Sequence, residues 1–111
     1  MIFLSIDDFF AKSKEAVRLS REDVIAYAVK MKAGDTEARE KIIYSYIPYV
    51  AAYIKRGPKD NQTLHTVYAC ITCLEKCVDS FNFLQDNEPF IHHLSLRLKS
   101  CTIKCFADRR M

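Results

Sequence analysis

Two glycines, Gly34 and Gly57, and three prolines in 111 residues restrict this chain more than any other feature of it. Sheet proteins reverse direction every few residues and use glycine, proline and asparagine to do so. With so few turn residues, a β-sandwich or barrel is excluded. The same scarcity excludes phosphate-cradling loops, because neither glycine has a second close enough for a GxGxxG or Walker-type pattern. The length allows one domain, and a domain of this size buries enough surface to fold without a metal or disulfide staple. The expected fold is all-α, a compact bundle of four or five helices.

The helices announce themselves by their caps. Ser5, with Asp7 and Asp8 behind it, opens a short first helix whose apolar positions are Phe9, Phe10 and Val17. Ser20-Arg21-Glu22-Asp23 approximates a capping box, after which Val24, Ala28 and Met31, and also Ile25 and Val29, recur at helical spacing. Gly34 closes that helix and Asp35 caps the next. Ala38, Ile42, Ile43, Tyr46, Ile47, Val50 and Ile54 form its stripe, with Pro48 inside it as an expected kink and Gly57-Pro58 as its end. A fourth helix from about Gln62 to Ser80 is apolar on most sides, which marks it as central. The fifth starts near Glu88-Pro89 and buries Phe90, Ile91, Leu94, Leu98, Cys101 and Cys105, leaving His93, Arg97, Ser100 and Lys104 opposite.

Half the residues are hydrophobic and 28% are charged, the balance of a globular domain in water. The longest apolar runs are four or five residues, too short to span a membrane, and Asp7 and Asp8 spoil the start as a signal peptide. Five cysteines, an odd number without a secretory signal, are expected to be reduced thiols in a cytoplasmic chain. Cys70, Cys73 and Cys77 read as small packing residues on the fourth helix. A metal or redox site built from Cys70-x-x-Cys73 with Cys77, Cys101 or Cys105 is geometrically allowed, but there is no pair of CxxC knuckles. No metal and no cofactor is expected. The net charge of +3 permits a nucleic-acid partner without requiring one.

Two stretches together carry a resemblance. One is Ala33-Gly34-Asp35-Thr36-Glu37-Ala38, followed by Tyr46-Ile47-Pro48-Tyr49-Val50. The other runs from Ala69 to Phe81, ending Glu75-Lys76-Cys77-Val78-Asp79-Ser80-Phe81, with an amphipathic basic helix after it. This layout resembles region 2 of the sigma factors of bacterial RNA polymerase, over roughly Ser20 to Arg110. The resemblance implies a helical transcription-initiation module that binds RNA polymerase core and single-stranded promoter DNA. Family members carry acidic residues at the start of the fourth helix that contribute to polymerase docking. Those positions fall here on Leu64, His65 and Thr66, none acidic. The partner-binding candidates are His65, Thr66 and Tyr68. The family's tryptophan-rich promoter-melting segment is also altered, since this chain has no tryptophan.

The DNA-binding candidates are Arg97, Lys99, Lys104, Arg109 and Arg110 for phosphate, and Phe83 and Phe90 for unpaired bases. The alternative is a sigma-derived protein–protein interaction module or regulator without DNA contact, pairing with an anti-sigma or companion sigma protein. Tyr44, Tyr46, Tyr49 and Tyr53 would then offer an adhesive surface. An enzyme is not expected. His92 and His93 are adjacent and point to different sides of a helix, and no carboxylate pair stands out.

Overall fold

The computed structural model describes residues 2–84 and 89–110, without the side chains of 103–110. Among the described residues the chain is entirely helical. Its five helices are α1 (Ile6–Ser13), α2 (Arg21–Lys32), α3 (Thr36–Arg56), α4 (Leu64–Ser80) and α5 (Phe90–Arg110), with one 3-10 turn at Lys59–Asn61. No helix is long and apolar enough to cross a membrane among those residues.

The caps fall where the sequence puts them. Ser5 accepts the amide of Asp8, Ser20 that of Asp23, and Asp35 those of Glu37 and Ala38. Each satisfies first-turn donors that would otherwise lack a partner. The α2–α3 joint is a Schellman turn. Gly34 donates to the Met31 carbonyl and Asp35 to that of Lys30, with Gly34 at φ +98°. That left-handed backbone suits glycine, which has no Cβ to clash.

Two boundaries differ from expectation. α1 ends at Ser13, so Val17 lies in the connection to α2, 75% exposed, rather than on a helix face. α4 begins at Leu64 rather than about Gln62, capped by the Thr63 hydroxyl, which accepts the amide of Thr66. Pro48 sits inside α3, which runs as one helix from Thr36 to Arg56.

α4 is the centre of the bundle. Its Val67, Cys70, Leu74 and Val78 are wholly buried, with Ile71 and Cys77 nearly so. α3 brings Ile42, Ile47, Val50 and Ile54 to one side, and α5 brings Leu94 and Leu98 to the other. α1 adds Phe9, and the preceding Phe3 stacks on it edge-to-face at 5.0 Å. α2 contributes less. Val24 and Ala28 are buried, but Ile25 and Val29, which also recur at helical spacing, are exposed. Among the described residues α2 packs mainly on α3, which leaves that pair uncovered.

Tyrosines join α3 to α5. The Tyr53 hydroxyl lies 3.1 Å from that of Thr102, and the Tyr49 hydroxyl bonds that of Ser95. Ser95 donates to the Ile91 carbonyl and Thr102 to that of Leu98, so the tyrosines are the donors. Tyr46, Tyr49 and Tyr53 are half-buried packing residues, and of the four α3 tyrosines Tyr44 is the exposed one.

One ion pair ties α3 to α4. Arg39 donates from Nε and a terminal nitrogen to both carboxylate oxygens of Asp79, at 2.6 and 2.9 Å, and reaches Glu75 at 3.7 Å. Hydrogen bonding to Arg39 holds the Asp79 carboxyl below its usual range. A carboxylate whose folded pKa is depressed stabilises the fold above its unfolded pKa and loses that contribution as pH falls through the folded one. Asp79 is half exposed, so solvent keeps the effect below about 1 kcal/mol. Arg39→Leu is expected to lower stability slightly at pH 7 and not at all below the folded pKa of Asp79. Denaturant melts of both forms from pH 7 downward measure this. Leu98→Ala, which opens a cavity against α4, should cost far more, about 2–5 kcal/mol, read from the shift in denaturant midpoint.

Candidate functional site

A cleft of about 550 Å³ opens where α2, α3 and the start of α5 diverge. The space exists because α5 packs on α4 and is held to α3 through side chains, while α2 leans mainly on α3. Tyr46 and Tyr49 of α3 line it, with Pro48 and Ala52 beside them. Phe81, Phe83 and Phe90, from the turn after α4 and the first residue of α5, form the opposite wall. Leu19, Val24, Ile25 and Ile91 complete an apolar lining, and the charged residues that reach it are Arg18 and Arg21.

The aromatic wall is a packed unit. Phe81 meets Phe83 edge-to-face at 4.9 Å and Phe90 at 5.2 Å, and Phe83 lies 5.1 Å from Phe90. Tyr46 comes from across the cleft to within 4.6 Å of Phe90. Burial pushes the Tyr46 phenol up from its ordinary pKa, so it stays neutral. His93 stacks on Phe81 at 5.5 Å, and its Nε2 is buried with no hydrogen-bond partner among the described residues. It therefore belongs to this cluster and not to the solvent-facing side of α5 expected for it.

Of the base-contact candidates, Phe90 is a core residue, 5% exposed, and shows the cleft little of its surface. This corrects its placement as an open stacking platform: as the first residue of α5 it anchors that helix against Tyr46 and Phe81. Phe83 is half-buried and also lines the cleft.

Arg97 and Lys99 are exposed on α5. Among the described residues, neither is ion-paired with a carboxylate. They do not line the cleft. The positive charge of Arg97 reaches Cys73 and Cys77 on α4. Lys104, Arg109 and Arg110 have side chains outside the described residues, as do Cys105 and Phe106.

The partner-binding candidates at the start of α4 separate. His65 is exposed. Thr66 is 1% exposed and cannot meet a partner, because it is turned inward beneath the Thr63 cap. The Tyr68 hydroxyl accepts the Phe3 amide at 3.0 Å and donates to the Phe3 carbonyl at 3.3 Å. It is thus engaged in holding the N-terminal segment onto α4, although the ring remains partly exposed.

Sequence reading missed Arg18 and Arg21. Arg18 lies in a connection and Arg21 begins α2, so neither belongs to a basic run that would single it out. It also missed the exposed Ile25, whose helical spacing resembles that of a core residue. Among the described residues no group of histidine, cysteine, aspartate and glutamate side chains is arranged to hold a metal ion.

No protein-family model matches the chain, and neither a curated protein nor a solved structure does.

Tyr68→Phe removes both hydrogen bonds to Phe3 and leaves the ring in place. The expected loss is about 1 kcal/mol of stability, with faster hydrogen exchange at the Phe3 amide as the local readout.

Proposed function

We propose that the chain is a sigma-like transcription-initiation module that binds RNA polymerase core and holds an unpaired promoter base in the cleft. The carrying observation is the cleft itself: aromatic side chains inside, Arg18 and Arg21 at its edge, and Phe83 on its wall. A flipped base needs a π-face to stack on and a cation for the adjoining phosphate. The arrangement offers both within one opening. Exposed Arg97 and Lys99 on α5 would meet the backbone further along the strand.

The second reading, a protein-interaction module without DNA contact, is favoured by Ile25 and Ile91. Both line the cleft and both are exposed. An apolar rim of this kind suits a partner side chain as well as a base.

Two measurements test the first reading. Core RNA polymerase retained by the immobilised chain at moderate salt supports docking. Fluorescence anisotropy with a labelled, adenine- and thymine-rich single strand tests the cleft. Arg18→Glu with Arg21→Glu should weaken binding at least tenfold and lower the salt slope by about 1–2. Phe83→Leu, which keeps apolar volume and removes the ring, should cost about tenfold or more with helicity unchanged. Core retention with no effect of these variants on the strand would favour the interaction module.

A further inference from the structure

Sulfur lines the contact between α4 and α5. Cys70 and Cys77 are buried, whereas Cys73 on α4 and Cys101 on α5 are half-buried. The Cys101 Sγ lies 3.5 Å from the carbonyl oxygen of Ala69, one turn before Cys73 on the same helix face. The thiols of Cys77 and Cys101 are near enough to Cys73 to act on its titration. The three side chains therefore share one neighbourhood at the α4–α5 contact, with the guanidinium of Arg97 close enough for its charge to reach Cys73 and Cys77.

These contacts are not equivalent as routes to a covalent bond. Residues four apart on a helix hold their Cβ atoms about 5–6 Å apart, and a disulfide needs about 3.5–4.5 Å. Joining Cys73 to Cys77 would require α4 to unwind, at the position where Leu74 and Val78 anchor it in the core. Cys73 and Cys101 lie on separate helices, which can shift as bodies and close the gap without breaking either helix. They are also the two that solvent reaches among the thiols of this contact.

We propose that Cys73 and Cys101 form a reversible disulfide that staples α4 to α5 when the chain meets a low-molecular-weight disulfide. One of the two thiolates attacks a sulfur of the small disulfide, forming a mixed disulfide and releasing one small thiolate. The other thiolate then attacks the protein-bound sulfur and expels the second. The two protons lost by the cysteines end on the two small thiols released. The protein thiols are oxidised, the small disulfide is reduced, and no other reactant is needed. Burial pushes the Cys73 thiol up to about 11, so at neutral pH it is protonated and is the slower of the two to attack. The staple would fix the helix that carries Arg97 and Lys99, which makes those charges' position dependent on the redox state.

The peptides of a tryptic digest separate the alternatives. Cys70 and Cys73 fall in residues 60–76, Cys77 in 77–97, Cys101 in 100–104 and Cys105 in 105–109. The intact chain is incubated with oxidised glutathione, its remaining thiols are capped with N-ethylmaleimide, and it is digested without reduction. The expected product joins peptide 60–76 to peptide 100–104, with fragmentation placing the bond at Cys73. It should disappear on reduction and in Cys73→Ser, and persist in Cys77→Ser, both variants being checked for helicity. The oxidised chain should melt about 10 °C higher than the reduced one. A bond to peptide 77–97 or 105–109, attachment at Cys70, links between chains alone, glutathione adducts alone, or unreacted thiols would each overturn the proposal.

Discussion

α4 has to be buried on two sides at once, and this constraint organises the molecule. Its α3-facing and α5-facing surfaces meet along Cys70, Leu74 and Cys77 rather than being separated by a polar edge. Cysteine is the residue that makes this possible. It is as apolar as a small aliphatic side chain and short enough for a neighbouring helix to approach closely. With larger residues at 70 and 77, α3 and α5 would be pushed outward. Both would then lose contact with Val67 and Val78, which are wholly buried.

The cleft follows from the same constraint. Once α3 and α5 are both fixed to α4, their remaining separation is set by α4's width. Tyrosine is long enough to cross it and ends in a hydroxyl that can be satisfied on the far side. Tyr49 and Tyr53 do this through Ser95 and Thr102. One turn earlier the two helices no longer have such a rung. Tyr46 meets Phe90 with the rings tilted at 51° instead, and the space beyond them opens between α2 and the start of α5. An opening arises where a helix pair is held apart and the third helix covers only one of them.

The helical fold was legible in the sequence because local signals and global packing agree. Ser5, Ser20, Gly34 and Asp35 occupy the capping positions that their chemistry indicates, and the α3 and α4 stripes are buried as their spacing implies. The failures have a common cause. Periodicity reports which residues share a helix face, not whether another element covers that face. Ile25 and Val29 have the spacing of core residues and are exposed. Val17 has an apolar side chain and no helix. Thr66, a partner-binding candidate by sequence, is turned inward by the cap of its own helix. Phe90 was read both as a stripe residue and as a base contact, and burial decides for the first. The cleft was beyond the reach of sequence because it depends on three helices and on Arg18, whose place in a connection is invisible to any periodic pattern.

The aromatic wall couples any binding role to the stability of the fold. Phe81, Phe83 and Phe90 stack on one another, and this stack joins the end of α4 to the start of α5. A ligand ring entering the cleft would extend an existing aromatic cluster instead of requiring a new one to form. Little side-chain entropy remains to be lost at rings already fixed by their neighbours, so such a site is pre-organised. The converse also holds. Because Phe90 is needed to anchor α5, its loss would disturb the wall and the helix together, whereas Phe83 has a freer edge and less of the core resting on it. The difference between these two phenylalanines, one structural and one available, separates what the cleft is built from and what it can offer a ligand.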